Sequence, residues 1–239
     1  MGKTETRATN VSGERPGGAQ VGRDAREEGR FSAVATASFL RSWAFYRNRE
    51  WIRTVVSRLV ASTATWRELE RSNPGVDVGD VVRRNRIMGM IVSWEREGYI
   101  EVIEAPGGPE PGTLDERASI AGISPSETSS LLLARRLGIH TLLSDSVEAA
   151  RALAVEPGEV RHMSSFELLK EVLAARVASG RGIGPREIEA SLRGFVSSVG
   201  PLMDEAGIER MVMEICEMGR LRRVARGAPG GDADSARWS

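Results

Sequence analysis

The stretch from Gly122 to Leu153, GISPSETSSLLLARRLGIHTLLSDSVEAARAL, narrows the choice of fold more than any other in the chain. Ser124-Pro125-Ser126-Glu127 places a capping serine ahead of a proline at the first helical position, with an acid in the first turn. Leu131, Leu132, Ala134 and Leu137 give the predicted helix an apolar side, and Gly138 supplies the left-handed residue that ends it. His140 to Ser144 is a short β-prone run, and Asp145 follows at once. Ser146 then opens a second helix whose Val147, Ala150 and Ala154 spacing is expected to face inward. Helix, strand, carboxylate and helix in that order make half of an α/β repeat. A carboxylate at the carboxyl end of a strand sits where open parallel sheets bind ligands.

The flanking sequence repeats the alternation. Phe31 to Thr36 reads as a strand, Ser38 to Tyr46 as a helix carrying Phe39, Leu40, Trp43 and Phe45, and Trp51 to Val56 as a further short helix. Arg58 to Ser62 is a second strand, and the helix from Thr63 carries Glu68 before the stop at Asn73-Pro74-Gly75. Val81 to Glu97 is a helix with Val82, Ile87, Met90, Ile91 and Trp94 apolar, and Tyr99 to Glu104 alternates as a strand. Ala105 to Gly112 is a Pro/Gly loop, and Glu159 to Met163 a last strand. Ser164 to Glu167 forms a capping box ahead of a helix at Phe166 to Ala178. Helices at Pro185 to Val199 and Ile208 to Cys216 follow, and then the basic run Arg220 to Arg226.

Strands alternating with helices over 31–163 predict a mostly parallel sheet covered on both faces, with a helical extension over 164–226. Residues 1–30 and 227–239 have too little apolar content to offset the entropy of ordering and are expected to be disordered tails.

Lys plus Arg and Asp plus Glu each number 33, so net charge gives no argument for a nucleic-acid ligand. Hydrophobic residues at 41% and charged residues at 28% are proportions that allow a globular core. Cys216 is the only cysteine, which excludes an intramolecular disulfide and a cysteine-built zinc site and fits a reducing interior. No apolar run approaches the ~18 residues that span a bilayer. The first residues lack the apolar core of a secretory signal. The expectation is a cytoplasmic protein with no membrane partner.

Three acids, Glu68, Glu127 and Asp145, fall where sheet and helix ends converge. His140 and His162 lack metal-pair spacing. Gly180 to Gly184 follows a helix and contains no lysine, so it reads as a connector and not as a phosphate loop. Ser124, Ser126, Ser144 and Ser146 have no base in a recognisable arrangement, which leaves nucleophilic serine chemistry unsupported.

With Pro125, Glu127, Leu131, Ala134, Leu137, Gly138, Leu142, Leu143, Asp145, Ala149 and Arg151 in register, the segment resembles the carboxyl half of a PIN domain. More narrowly, it resembles a prokaryotic predicted-nuclease PIN subgroup. Leu59-Val60 and Trp66-Arg67-Glu68-Leu69 are similar to that group's second strand and the acidic helix after it. Thr36-Ala37-Ser38-Phe39-Leu40 resembles its opening D-T-S-x-L, with threonine where the aspartate belongs. The likeness runs from about Phe31 to Ala178. It implies a PIN-like three-layer α/β/α fold and descent from Mg²⁺- or Mn²⁺-dependent ribonucleases that act as toxins or in RNA processing. It also implies Glu68, Glu127 and Asp145 as the metal-holding catalytic acids, with Thr36, Ser38 and Ser146 lining the site. The partners it implies are RNA, an antitoxin-like protein and, by default, a second copy of the chain.

Carboxylates packed together raise one another's pKa unless a divalent cation neutralises them. Such a cation activates a water for in-line attack on a phosphodiester, and Mg²⁺ takes hard oxygen ligands for the purpose. Thr36 adds no charge to that set, and Ser146 stands where a further acid usually follows Asp145. Glu148 reaches the site only if the helix start bends toward it. Losing a group that supports a metal costs roughly 10–100-fold in affinity or activity. The resemblance therefore leads to a PIN-type divalent-metal-dependent ribonuclease or a degenerate descendant, weakened or inactive, that retains only RNA binding. The rival is a non-catalytic protein- or DNA-binding module acting through the helical extension, with Arg220, Arg222 and Arg223 on the basic strand of a winged helix. Too few elements remain after residue 164 for a whole winged helix, so a helical appendage that packs on the sheet domain or mediates a dimer is expected instead.

Overall fold

Ala33 and Ala35 of the first strand join one core, Val34 between them joins another, and all three are fully buried. In the computed structural model, which describes residues 30–71, 78–105, 122–155, 160–180, 183–199 and 204–225, the next strands repeat this division. Leu59 and Ala61 go with the first core and Val60 with the second; Leu143 goes with the first and Leu142 with the second. Period-two alternation of apolar residues on both sides is what a sheet covered on both faces requires.

The elements are β1 (Phe31–Ala35), α1 (Ala37–Phe45), a 3-10 turn (Arg49–Thr54), β2 (Val56–Ser62), α2 (Thr63–Arg71), α3 (Val78–Arg96) and β3 (Ile100–Ile103). After residues 106–121 come α4 (Pro125–Leu137), β4 (Thr141–Leu143), α5 (Val147–Val155), β5 (Arg161–Met163), α6 (Ser165–Ala178), α7 (Pro185–Val199) and α8 (Glu205–Ala225). The five strands are ordered β3-β2-β1-β4-β5, and every pair is parallel. The fold is a three-layer α/β/α sandwich with helices added at the carboxyl end. The chain leaves β1 in one direction for β2 and β3 and returns on its other side for β4 and β5. That reversal puts the topological switch point at the carboxyl ends of β1 and β4.

Two local expectations differ from the structure. The segment read as a helix at 51–56 is a 3-10 turn that gives way at once to β2, because so short a stretch cannot offset the cost of nucleating an α-helix. In α5 the buried residues are Ala149 and Leu153, whereas Val147 is exposed and Ala154 turns outward; the large Leu153 sets the inward face, not the smaller residues on the other spacing. Arg220 to Ala225 continues α8, which agrees with the helical appendage expected there in place of a winged helix. The expected tails (1–29 and 226–239), the turn at Asn73-Pro74-Gly75 and the loop residues 106–112 lie outside the described residues.

The predicted boundary between 163 and 164 falls inside one continuous core. Leu168, Leu169, Val172 and Leu173 of α6, Ile188, Leu192 and Phe195 of α7 and Ile215 of α8 are fully buried with Ala33, Leu59 and Trp43. Trp43 anchors this layer: its ring lies 5.6 Å from Phe39, 5.3 Å from Tyr46 and 6.0 Å from Phe195. Its indole N–H donates to the carbonyl of Arg49 at 3.0 Å. Helix α8 is fastened along α6 by Lys170–Glu214 at 2.5 Å, by Arg222 with Glu171, and by Arg223, which donates to the Val177 carbonyl at 2.7 Å. Gly219 faces Val177 at the point of closest approach.

Both tyrosines of the chain are buried, and burial is the main force raising their phenols above the usual range. At Tyr99 the Arg53 guanidinium, 4.5 Å from the ring centroid, only partly opposes it. A folded-state pKa above the unfolded one contributes stability that is complete below the unfolded value, about 10, and is lost as pH rises beyond it. Denaturation midpoints should therefore fall between about pH 9 and 12, and fall less steeply in Tyr46→Phe/Tyr99→Phe. Equal slopes for the two proteins would contradict this.

Candidate functional site

Each element that ends at the switch point delivers a hydroxyl or a carboxylate to it. At the end of β1, Thr36 is the N-cap of α1 and is fully buried; its Oγ1 donates to the Leu143 carbonyl at 3.1 Å and lies 2.9 Å from Ser38 Oγ. At the end of β4, Ser144 is also fully buried, 3.2 Å from Ser38 Oγ, and donates to Glu127 Oε1 at 3.3 Å. Glu127 comes from the first turn of α4, where it closes a capping box with Ser124. Its Oε2 accepts from both the amide and the hydroxyl of Ser124, at 3.2 and 3.1 Å.

The proton directions follow from the acceptor at the end of the line. Ser144 gives its one hydroxyl proton to Glu127, so in the contact with Ser38 it accepts and Ser38 donates. Hydroxyls aligned in this way polarise one another toward the negative charge. Ser38 also receives the amide of Asp145 at 3.2 Å, and Ser144 that of Ser146 at 3.2 Å.

Glu68 reaches the same region from α2, with Oε1 2.7 Å from Arg41 Nη2 of α1 and Oε2 accepting from Ser126. Ser126 Oγ is 3.1 Å from Ser124 Oγ, so Glu68 and Glu127 belong to one network. Asp145 turns elsewhere. Its two oxygens accept the amide and the hydroxyl of Ser165, at 2.7 and 2.6 Å, and bind the first turn of α6. A carboxylate is favoured there by the positive end of the helix. Ser146 caps α5, accepting from the Ala149 amide at 3.2 Å and donating to Glu148 Oε2 at 3.1 Å. The exposed Glu148 carboxyl is held below its usual range first by its own backbone amide and then by Ser146, and its helix start does not bend toward the acids.

The three acids therefore share one end of the sheet without converging on a point. All six of their oxygens accept from protein donors. Among the described residues no three His, Cys, Asp or Glu side chains lie close enough together to hold a metal ion. The residues present do not fit a resident divalent cation: Thr36 is neutral, Arg41 neutralises Glu68, and Asp145 is spent on α6. Arg220 is exposed on α8, while Arg222 and Arg223 are turned onto α6.

Sequence reasoning missed Arg41, Ser165 and the linking role of Ser124, Ser126 and Ser144. The clustering of serines as S-x-S at 124–126 and S-D-S at 144–146 was the available signal. Nothing local marks Arg41, because its partner lies 27 residues away. Among the described residues no helix is long and apolar enough to cross a membrane. No protein-family model, curated protein or solved structure matches the chain.

Proposed function

We propose that the chain is a degenerate PIN-type ribonuclease domain in which cleavage is weakened or lost and RNA remains the ligand. The observation that carries this reading is Thr36, a neutral side chain tied to Leu143 and Ser38 at the switch point, where the resemblance calls for an aspartate. Retained RNA binding is supported by the helix starts at Ala37 and Thr63, which follow directly on the carboxyl ends of parallel strands and favour phosphate there. The test is fluorescence anisotropy with labelled single-stranded RNA and DNA in EDTA over a range of salt. The expected result is metal-independent RNA binding whose log K falls linearly with log salt, and no cleavage above the buffer control in Mn²⁺. Absence of binding at low salt would sink the reading. So would rapid Mn²⁺-dependent cleavage abolished by Asp145→Asn, which would make the protein a working nuclease.

A second reading, a non-catalytic protein-binding module, draws on α8. Met213, Leu221 and Val224 are exposed on it at 65%, 65% and 71%, while Arg222 and Arg223 are engaged with α6. That balance favours a protein partner over DNA, with a second copy of the chain as the first to examine. Light scattering would support it by finding a dimer that dissociates in Leu221→Glu; a monomer at all concentrations would remove the self-association form.

A further inference from the structure

All six carboxylate oxygens of Glu68, Glu127 and Asp145 accept from the protein itself, and one of those donors carries a full positive charge. We infer that Arg41 is the resident cation at this end of the sheet and occupies the electrostatic place of a divalent metal. The comparison with a metal site rests on the ribonuclease reading; the contact geometry does not.

Arg41 projects from α1 across to α2 and meets Glu68 Oε1 at 2.7 Å, with the two side chains 37% and 33% exposed. A partly exposed ion pair of this kind adds little to stability. Its effect is on the charge at this end of the sheet. Thr36 in place of an aspartate removes one negative charge, and Arg41 contributes one positive charge. The same two residues explain how the acids sit together: Glu68 is neutralised by Arg41, and the buried Glu127 is solvated by the hydroxyls that lead back to Thr36. A carboxylate deprived of water needs such donors or a cation. A bound divalent ion would have to displace the Arg41 guanidinium from Glu68 and would find no acid at 36.

The experiment is Mn²⁺ binding to the full chain, followed by the electron paramagnetic resonance of free Mn²⁺, for wild type, Arg41→Lys, Arg41→Gln and Thr36→Asp/Arg41→Gln. Wild type and Arg41→Lys are expected to bind Mn²⁺ only weakly, with the affinity read from the initial slope of the titration. The double variant is expected to take up one ion per chain roughly 100-fold more tightly than wild type, the upper part of the range that one supporting group commands. Equal binding by wild type and double variant, tight or absent, would overturn the assignment. If circular dichroism shows the double variant unfolded, the single variants decide. Binding about 10-fold tighter in Arg41→Gln than in Arg41→Lys supports the assignment, and no difference overturns it. RNA anisotropy on the same preparations separates the two ideas. Mn²⁺ gained without RNA binding leaves the Arg41 assignment standing and removes the ribonuclease descent; RNA binding without Mn²⁺ gain does the reverse.

Discussion

Trp43→Ala is expected to cost about 3–5 kcal/mol of unfolding free energy, with a fall in Tm of roughly 10 °C or more. The side chain is fully buried, and truncating it opens a cavity bordered by Phe39, Tyr46 and Phe195. The Arg49 carbonyl also loses the indole N–H that satisfies it, and an unpaired polar group is a separate cost of about 1–3 kcal/mol. Because Phe195 belongs to α7, the damage should reach the carboxyl-terminal helices. Urea denaturation followed by far-ultraviolet circular dichroism and by tryptophan fluorescence should give one coincident transition, shifted to lower urea. A loss under about 1 kcal/mol would contradict the packing argument. Two separated transitions would mean that α6 to α8 fold apart from the sheet.

Gly219→Ala is expected to be destabilising even though alanine is the better helix former. Alanine gains about 1 kcal/mol over glycine in a helix interior. Its Cβ, however, would lie 2.5 Å from Val177 Cβ and 3.1 Å from the Ala174 carbonyl oxygen. Neither neighbour is the free end of a flexible side chain, so α8 itself has to move away from α6. Overpacking of this kind costs about 1–3 kcal/mol. The movement also pulls on the contacts from Lys170 to Glu214, Arg222 to Glu171 and Arg223 to the Val177 carbonyl. The net expectation is a loss of about 1–2 kcal/mol, read by hydrogen exchange as reduced protection in α6 and α8 with β1 and β2 unchanged. Unchanged or raised stability would mean that the helices tolerate a wider separation. Charge reversal at Arg222 or Arg223 should loosen the same interface, so reduced nucleic-acid binding in such variants would report helix docking before it reported a phosphate contact.

The parallel sheet was legible because its signals are local. Short β-branched or apolar runs bounded by caps stand out at Phe31, Leu59 and Leu142, and the capping serine at Ser124 and the capping box at Ser164 are present as read. What the sequence withheld is set by distance. Thr36 meets Leu143 across 107 residues and Arg41 meets Glu68 across 27, and no periodicity encodes either contact. The inward face of α5 was misread for a related reason: three small apolar spacings compete there, and only docking against the sheet selects Leu153. Arg220 to Ala225 continues a helix, as the expected helical appendage requires. The acids were found as residues but not as a site. Their neighbours, serines and an arginine from other elements, decide what the carboxylates are for.

The strand order has a bearing on synthesis. β1 is the middle strand, yet it waits for its second neighbour until β4 exists, more than 100 residues later by the Thr36–Leu143 separation of 107. At about 5–20 residues per second that is an interval of roughly 5–20 s. Throughout it, one edge of Phe31–Ala35 offers unpaired backbone groups flanked by apolar side chains. The nascent chain therefore passes through a stage in which its central strand has an open, adhesive edge. Ribosome-associated chaperones would have their main task on this protein before β4 emerges, and a truncated product ending ahead of Thr141 should aggregate where the full chain does not.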